Sequence, residues 1–143
     1  MARIEIDLPE KFIFTTEITL RIGDINYGGH LGNDSVLSIA HEARIRFFNK
    51  YGISEKNVAG AGIIMVDAAI RYKAEGFYGD VLTIEVGVKD FTKTGCDIIY
   101  QLTNKETGKI IALVKSGIVF FDYKKRKIVP IPEAFLTITK SFR

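Results

Sequence analysis

One long helical pattern inside a chain of strand-like runs constrains this fold more than any other feature of the sequence. Between Asp34 and Tyr51, apolar side chains recur at the spacing of a helix that buries one face. They are Val36, Leu37, Ala40, Ala43, Phe47, Phe48 and Tyr51. Asn33 or Asp34 can cap the start of this helix, and Gly52 can end it. The sequence therefore predicts a single long helix.

The other ordered runs are rich in β-branched and aromatic residues, which is typical of strands. One such run precedes the helix and four follow it, at residues 12–22, 62–73, 81–91, 96–104 and 109–122. Turn residues at 79–80 and 107–108 separate the later runs, so these four strands can pair as an antiparallel meander. This order predicts an α+β fold, with one curved antiparallel sheet wrapped around one long central helix. A doubly wound fold would need more helices than the sequence offers.

Composition narrows the class of protein further. The 143 residues suit a single domain spanning 1–143, and 47% hydrophobic with 26% charged residues is typical of a soluble globular chain. The net charge of +3 is mild and the clearest basic run, at 124–127, lies in a predicted turn, so we expect no nucleic-acid partner. No apolar run is long enough to span a bilayer, and the N-terminus lacks a signal-like segment. We therefore expect a cytoplasmic protein without membrane insertion.

A sheet wrapped on one helix leaves strand edges exposed. Such edges need covering, and pairing with a second copy of the chain is one way to cover them. The run at 62–73 is long enough for this pairing. We therefore predict a homo-oligomer.

The connection between the first strand and the helix, RIGDINYGGHLGND at 21–34, carries the densest set of polar groups. A glycine-rich turn that enters a helix presents free backbone N–H groups, and the helix dipole adds partial positive charge there. Such a place binds an anion, or a carbonyl oxygen that gains negative charge. Asn26, His30 and Asn33 can supply orienting hydrogen bonds. The stretch therefore suits a carbonyl substrate attacked by water.

The same residue types also form ordinary turns, and this alternative stays open on local composition alone. The stretch contains neither the P-loop nor the dinucleotide-binding glycine pattern, and no GxSxG element occurs. His30 and His41 have no recognised metal-binding spacing, so we expect no metal site. The single cysteine, Cys96, excludes an intrachain disulfide and fits a packed residue better than a nucleophile.

Three motifs resemble those of hotdog-fold thioesterases of the 4-hydroxybenzoyl-CoA thioesterase type. They are R-x-G-D-x-x-x-x-G-H-x-x-N at 21–33, H-E-A-R at 41–44 and R-Y-x-x-x-x-x-x-G-D at 71–80. With the strand order, the resemblance covers roughly residues 12–133. It implies hydrolysis of an acyl-CoA or acyl-carrier-protein thioester, with no metal and no cofactor beyond the CoA of the substrate. It also implies a homodimer with joined sheets, often a dimer of dimers, with active sites at the dimer interface.

The resemblance assigns roles within the polar stretch. The helix-start N–H of Gly32 or Asn33 would polarise the thioester carbonyl, and His30 matches the histidine of the G-H-x-x-N motif. The catalytic aspartate of the family falls four residues before that histidine, where this chain has Asn26. An amide cannot act as a general base near neutral pH, although its oxygen can hold a water. Asn26 and His30 are therefore expected to orient the thioester and the water.

The departure at position 26 leaves the general base to be found elsewhere. Glu42 is the first choice, because other hotdog branches use an acid on the central helix, and a salt bridge to Arg46 is its competing role. Asp24 and Asp67 come after it, and Asp67 would either line the interface pocket or face solvent. Tyr27 would close over the acyl group or be a plain surface tyrosine.

A different class of function follows from the same departure. Loss of the aspartate could leave acyl-CoA or acyl-carrier-protein binding intact while removing hydrolysis. A non-hydrolytic binding protein of the hotdog fold is therefore the alternative hypothesis. Tight acyl-CoA binding without turnover would distinguish it from a thioesterase.

Overall fold

Eight regular elements follow one another along residues 3–140, the part of the chain that the computed structural model describes. They are β1 (Phe14–Thr19), α1 (Asn33–Lys50), β2 (Gly62–Tyr72), β3 (Val81–Lys89), β4 (Gly95–Asn104), β5 (Ile110–Asp122), β6 (Lys127–Ile128) and α2 (Glu133–Thr139). A short 3₁₀ turn at Ile22–Asp24 follows β1 and leads into the loop before α1. The predicted α+β fold and its long helix are confirmed.

The six strands form one antiparallel sheet in the order β1-β3-β4-β5-β2, with the two-residue β6 paired to the end of β5. The predicted meander holds for β3, β4 and β5, but β2 pairs with β5 and not with β3. Apolar alternation identifies a strand without encoding which neighbour it joins, which explains the difference. The chain therefore leaves β1 at one edge of the sheet and, after α1, returns at the opposite edge.

Helix α1 lies against one face of the curved sheet and contacts β1, β3 and β5. Its residues Phe47 and Phe48 are fully buried. Phe48 meets Phe135 of α2 edge to face, with ring centroids 6.5 Å apart, and Phe135 meets Phe120 of β5 in the same way. Helix α2 therefore completes the core that holds α1 on the sheet.

The ends of α1 differ in how they are capped. Its first residue is Asn33, and Gly32 occupies the cap position without a side-chain hydrogen bond, so neither Asn33 nor Asp34 caps the helix as predicted. At the other end, Gly52 adopts the left-handed conformation with φ +71° and donates its N–H to Asn49 O at 3.2 Å. The helix ends there as expected. At its start, by contrast, the cap residue Gly32 has no side chain to accept the first backbone N–H groups.

Strand β2 forms an edge of the sheet, because β5 is its only partner among the described residues. The register shifts between Met65 and Asp67, which places a bulge at Val66. Met65 and Val66 are 44% and 57% exposed, although both are large apolar residues. This edge therefore combines unpaired backbone with exposed apolar side chains.

Candidate active site

A buried carboxylate stabilises the loop before α1. Asp24 is only 5% exposed, and its Oδ2 accepts the Arg21 N–H at 2.8 Å. The backbone oxygen of Asp24 accepts the Gly32 N–H at 2.9 Å. These bonds hold the two ends of the loop together, so Asp24 has a structural role here.

The Asn26 side chain organises the middle of the same loop. Its Oδ1 accepts the Gly28 N–H at 3.0 Å and the His30 N–H at 3.3 Å. The backbone N–H of Asn26 donates to the backbone oxygen of His30 at 2.8 Å. The amide oxygen that could hold a water is therefore already used by two backbone donors, and Asn26 orients His30 through the loop.

The first turn of α1 presents an unused donor. The Gly32 N–H is bonded to Asp24, and the Asp34 N–H donates to Asn33 Oδ1 at 3.0 Å. Within residues 3–140, the Asn33 N–H has no hydrogen-bond acceptor. Of the two N–H groups that the sequence proposed, the one at Asn33 is the free one. It lies at the positive end of the α1 dipole, where an oxygen that gains negative charge is stabilised.

A cavity of about 360 Å³ opens beside this donor. Asn26, His30, Asn33 and Val36 form one wall, and residues 72–75, which begin with the last residue of β2, form the other. Two hydrogen bonds join the walls: Leu31 N–H donates to Gly76 O at 2.7 Å, and the Tyr72 hydroxyl donates to Asn33 O at 3.3 Å. The fold therefore brings the polar loop and the end of β2 to one cavity.

Glu75 lines this cavity and was not among the residues proposed from sequence. Its Oε1 lies 3.9 Å from His30 Nε2. The surrounding sequence, Ala74-Glu75-Gly76, carries no motif that marks the glutamate. Only the pairing of β2 with β5, which places the end of β2 beside α1, reveals this contact.

Glu42 and Asp24 line a different cavity, of about 430 Å³, between α1 and β1. Glu42 is bonded to Arg46, with 2.8 Å between Oε2 and Nε, as its competing role predicted. At about 3.6 residues per turn, Glu42 lies on the side of α1 opposite Asn33. Within one described chain, Glu42 is therefore not brought to the Asn33 donor, and its role as base stays a prediction.

The two remaining candidates lie outside the cavity. Asp67 is on the exposed side of β2, where its Oδ2 meets Lys115 Nζ at 3.2 Å. Tyr27 is fully exposed at the tip of the loop. Their contribution to substrate binding stays a prediction.

The single cysteine, Cys96, is buried and does not offer a nucleophile at neutral pH. Burial, with a smaller contribution from Asp97, raises the pKa of the Cys96 thiol to about 12, so the thiol stays protonated at neutral pH. Among residues 3–140, no group of three or more histidine, cysteine, aspartate or glutamate side chains is placed to hold a metal ion. No described helix combines the length and apolar character that crossing a membrane requires.

The sequence matches the family model of the thioesterase-like superfamily over residues 20–138. The chain belongs to this superfamily. No curated protein sequence matches this thioesterase-like chain.

Solved structures show the same hotdog fold. A 1,4-dihydroxy-2-naphthoyl-CoA thioesterase from Synechocystis is 22% identical with a TM-score of 0.81, over 89% of this chain and 95% of that chain. A Staphylococcus aureus protein solved in complex with CoA is 18% identical with a TM-score of 0.81, over 96% of this chain and 87% of that chain. The predicted hotdog fold is therefore confirmed.

Proposed function

We propose that this protein hydrolyses acyl-CoA thioesters to a free acid and CoA. The observation that carries the proposal is the Asn33 N–H at the start of α1, which has no acceptor within residues 3–140 and belongs to a residue that lines a cavity. Membership of the thioesterase-like superfamily supports it. The CoA complex and the naphthoyl-CoA thioesterase among the structures of the same fold point to a CoA-bearing substrate.

The reaction follows from where charge develops. The thioester carbonyl oxygen would accept the Asn33 N–H, and water would attack the carbonyl carbon. The oxygen then gains negative charge, which the N–H and the helix dipole stabilise more strongly than they stabilise the ground state. The C–S bond breaks as the carbonyl re-forms, and the sulfur takes up the proton that the water lost. His30, held by Asn26, would orient the water or the thioester.

The assembly belongs to the same proposal. We expect a homodimer in which the sheets of two copies join along the unpaired edge of β2, where Met65 and Val66 are exposed. Two such dimers could associate into a tetramer. A joined sheet would place residues of a second copy near the cavity opening. CoA enters as part of the substrate, so the reaction written above uses no separate cofactor.

Replacing the donor itself tests the role of Asn33. Proline at this position removes the N–H, yet it suits the first helical residue, and Gly32 already has the extended φ −73°, ψ 147° that a residue before proline prefers. We expect Asn33→Pro to turn over acyl-CoA at least roughly 100-fold more slowly than Asn33→Ala, which keeps the N–H. Thiol release from acyl-CoAs of several chain lengths and one aryl thioester measures the rates.

Three outcomes are informative. A rate deficit confined to the proline variant, with both variants equally folded by circular dichroism, supports the proposal. Equal rates for the two variants would show that the Asn33 N–H is not the polarising donor. Tight acyl-CoA binding by the wild-type protein without turnover of any thioester would instead support the non-hydrolytic alternative.

A further inference from the structure

The proposed site would hold and polarise a thioester, but residues 25–32, which carry Asn26 and His30, contain no carboxylate to accept a proton from the attacking water. Asn26 is an amide, and its oxygen is already bonded to the Gly28 and His30 N–H groups. A general base must reach the attacking water directly or through one further water molecule. The base must therefore be sought among the other side chains of the cavity.

Glu75 is the one carboxylate among the described residues that line this cavity. Its Oε1 and His30 Nε2 are 3.9 Å apart, which is too long for a direct hydrogen bond and suits a small side-chain rotation or a bridging water. Asn33 lines the same cavity. A water beside Glu75 and His30 would therefore share this cavity with a carbonyl bound to the Asn33 N–H.

The backbone around Glu75 is fixed while its side chain is accessible. The Lys73 and Ala74 N–H groups donate to Ile111 O at 2.9 and 3.1 Å, and Gly76 O accepts the Leu31 N–H. The Glu75 side chain is 63% exposed, and its neighbour in the cavity, His30, is 36% exposed. The backbone of the segment that carries Glu75 is thus tied to β5 and to the loop before α1, and the carboxylate remains open to water and substrate.

The other carboxylates considered for this role are engaged elsewhere in the described chain. Asp24 is buried and accepts the Arg21 N–H. Glu42 is paired with Arg46 beside a separate cavity, and Asp67 is paired with Lys115 on the exposed side of β2. Among residues 3–140, Glu75 has no lysine or arginine partner of this kind.

We propose that Glu75 is the general base of the hydrolysis, with His30 positioning the water between them. The carboxylate takes one proton as the water oxygen bonds to the carbonyl carbon, and the protonated carboxyl returns a proton to the sulfur as the C–S bond breaks. Water and thioester become acid and thiol, and Glu75 ends as it began. This inference rests on the proposed thioesterase function.

The test compares matched glutamate-to-glutamine variants. Glu75→Gln keeps the size of the side chain and removes its basicity, and Glu75→Asp keeps the basicity with a shorter reach. Glu42→Gln tests the rival base, and Glu106→Gln, in an exposed turn, is the control for the substitution itself. For each variant, kcat, KM and the pH dependence of the rate are measured by thiol release, with circular dichroism to confirm folding.

We expect Glu75→Gln to lower kcat by roughly 100-fold or more with KM within about twofold of wild type, because a general base acts only in the transition state. Glu75→Asp should retain more activity than Glu75→Gln, and Glu106→Gln should match wild type. His30, Tyr72 and Lys73 are the other ionisable side chains among the described residues that line this cavity, so the pH profile is compared between variants. The pH profile of Glu75→Gln should differ from that of wild type, whereas the profiles of Glu42→Gln and Glu106→Gln should match it.

The failures are distinguishable. If the wild-type protein hydrolyses acyl-CoA and Glu75→Gln keeps its kcat and its pH profile, Glu75 is not the base, whereas the thioesterase function stands. A loss confined to Glu42→Gln would assign the base to Glu42. If the wild-type protein turns over no thioester, the thioesterase proposal fails, and the role of Glu75 fails with it.

Discussion

Arg44 carries a buried positive charge from α1 into the protein interior. Its Nε donates to Glu55 Oε2 at 2.6 Å, and its terminal nitrogen donates to the hydroxyl of the buried Tyr100 at 2.9 Å. His41 meets the other oxygen of Glu55 at 3.2 Å. Burial raises the pKa of Glu55, but the hydrogen bond and charge of Arg44 outweigh it and hold that pKa below its ordinary value. The carboxylate therefore contributes to stability only in its ionised form.

The expected consequence is a loss of stability in acid. A carboxyl group with a lowered pKa in the folded state contributes fully above its unfolded value, here 4.5, and loses that contribution as pH falls through the folded value. At pH 7, Glu55→Gln should unfold more easily than wild type by about 1 kcal/mol, a small figure because Glu55 is partly open to solvent. Urea unfolding at pH 7 and at steps down to pH 3 measures the difference. A gap that does not narrow on acidification would contradict this role.

The sequence identified the residues of the loop before α1 but not all of their tasks. Asn26 and Asn33 were found because glycine-rich turns before helices have a recognisable pattern. Glu75 was missed because its position depends on which strand β2 joins, and a single isolated glutamate carries no pattern. Contacts between segments far apart in the chain are set by tertiary structure, which local residue order does not encode.

At the scale of elements, β4 and β5 approach each other closely at one glycine. A Cβ atom at Gly95 would stand against Ile118 O in the backbone of β5, so an alanine there would force the two strands apart. The strand prediction from sequence began at Cys96 and omitted Gly95, because a glycine gives no strand signal. The close approach is visible only once β4 is paired.

A pair of alanine variants tests this contact. Gly95→Ala should lower the free energy of unfolding by roughly 1–3 kcal/mol, as overpacking does in well-packed interiors. Gly23→Ala is the control, because nothing lies within 4 Å of a Cβ there. Both variants are compared with wild type by thermal and urea unfolding. Equal stability of the two variants would show that the strands move apart without cost.

At the scale of the whole molecule, β2 lies at an edge of the sheet and has no second strand partner among the described residues. Both the unpaired backbone and the exposed Met65 and Val66 favour pairing with a second copy. A sheet wrapped on one helix predicted exposed edges, and the sequence named the run at 62–73 as long enough to pair. The observed order places β2 at one edge of the sheet and β1 at the other. The bulge at Val66 marks the centre of the exposed segment.

A charge at this edge should prevent association. Val66→Lys places an ammonium group on the exposed side of β2 without changing a pair with β5, so the fold of the single chain should survive. We expect wild type to elute with the mass of two 16.0 kDa chains or a multiple of it, and Val66→Lys with the mass of one. Ile128→Lys, at a 54% exposed position in β6, is the control. Light scattering after size exclusion gives the masses, and a monomeric wild type would refute the assembly.

The free Asn33 N–H has a consequence for how sequences related to this one can diverge. Every coded amino acid except proline supplies the same backbone donor, so carbonyl polarisation at the start of α1 tolerates almost any substitution at that position. A carboxylate, in contrast, is erased by one substitution. We therefore expect that single substitutions in related sequences can abolish hydrolysis while thioester binding is retained. A hydrolase of this kind can thus evolve into a binding protein in one step.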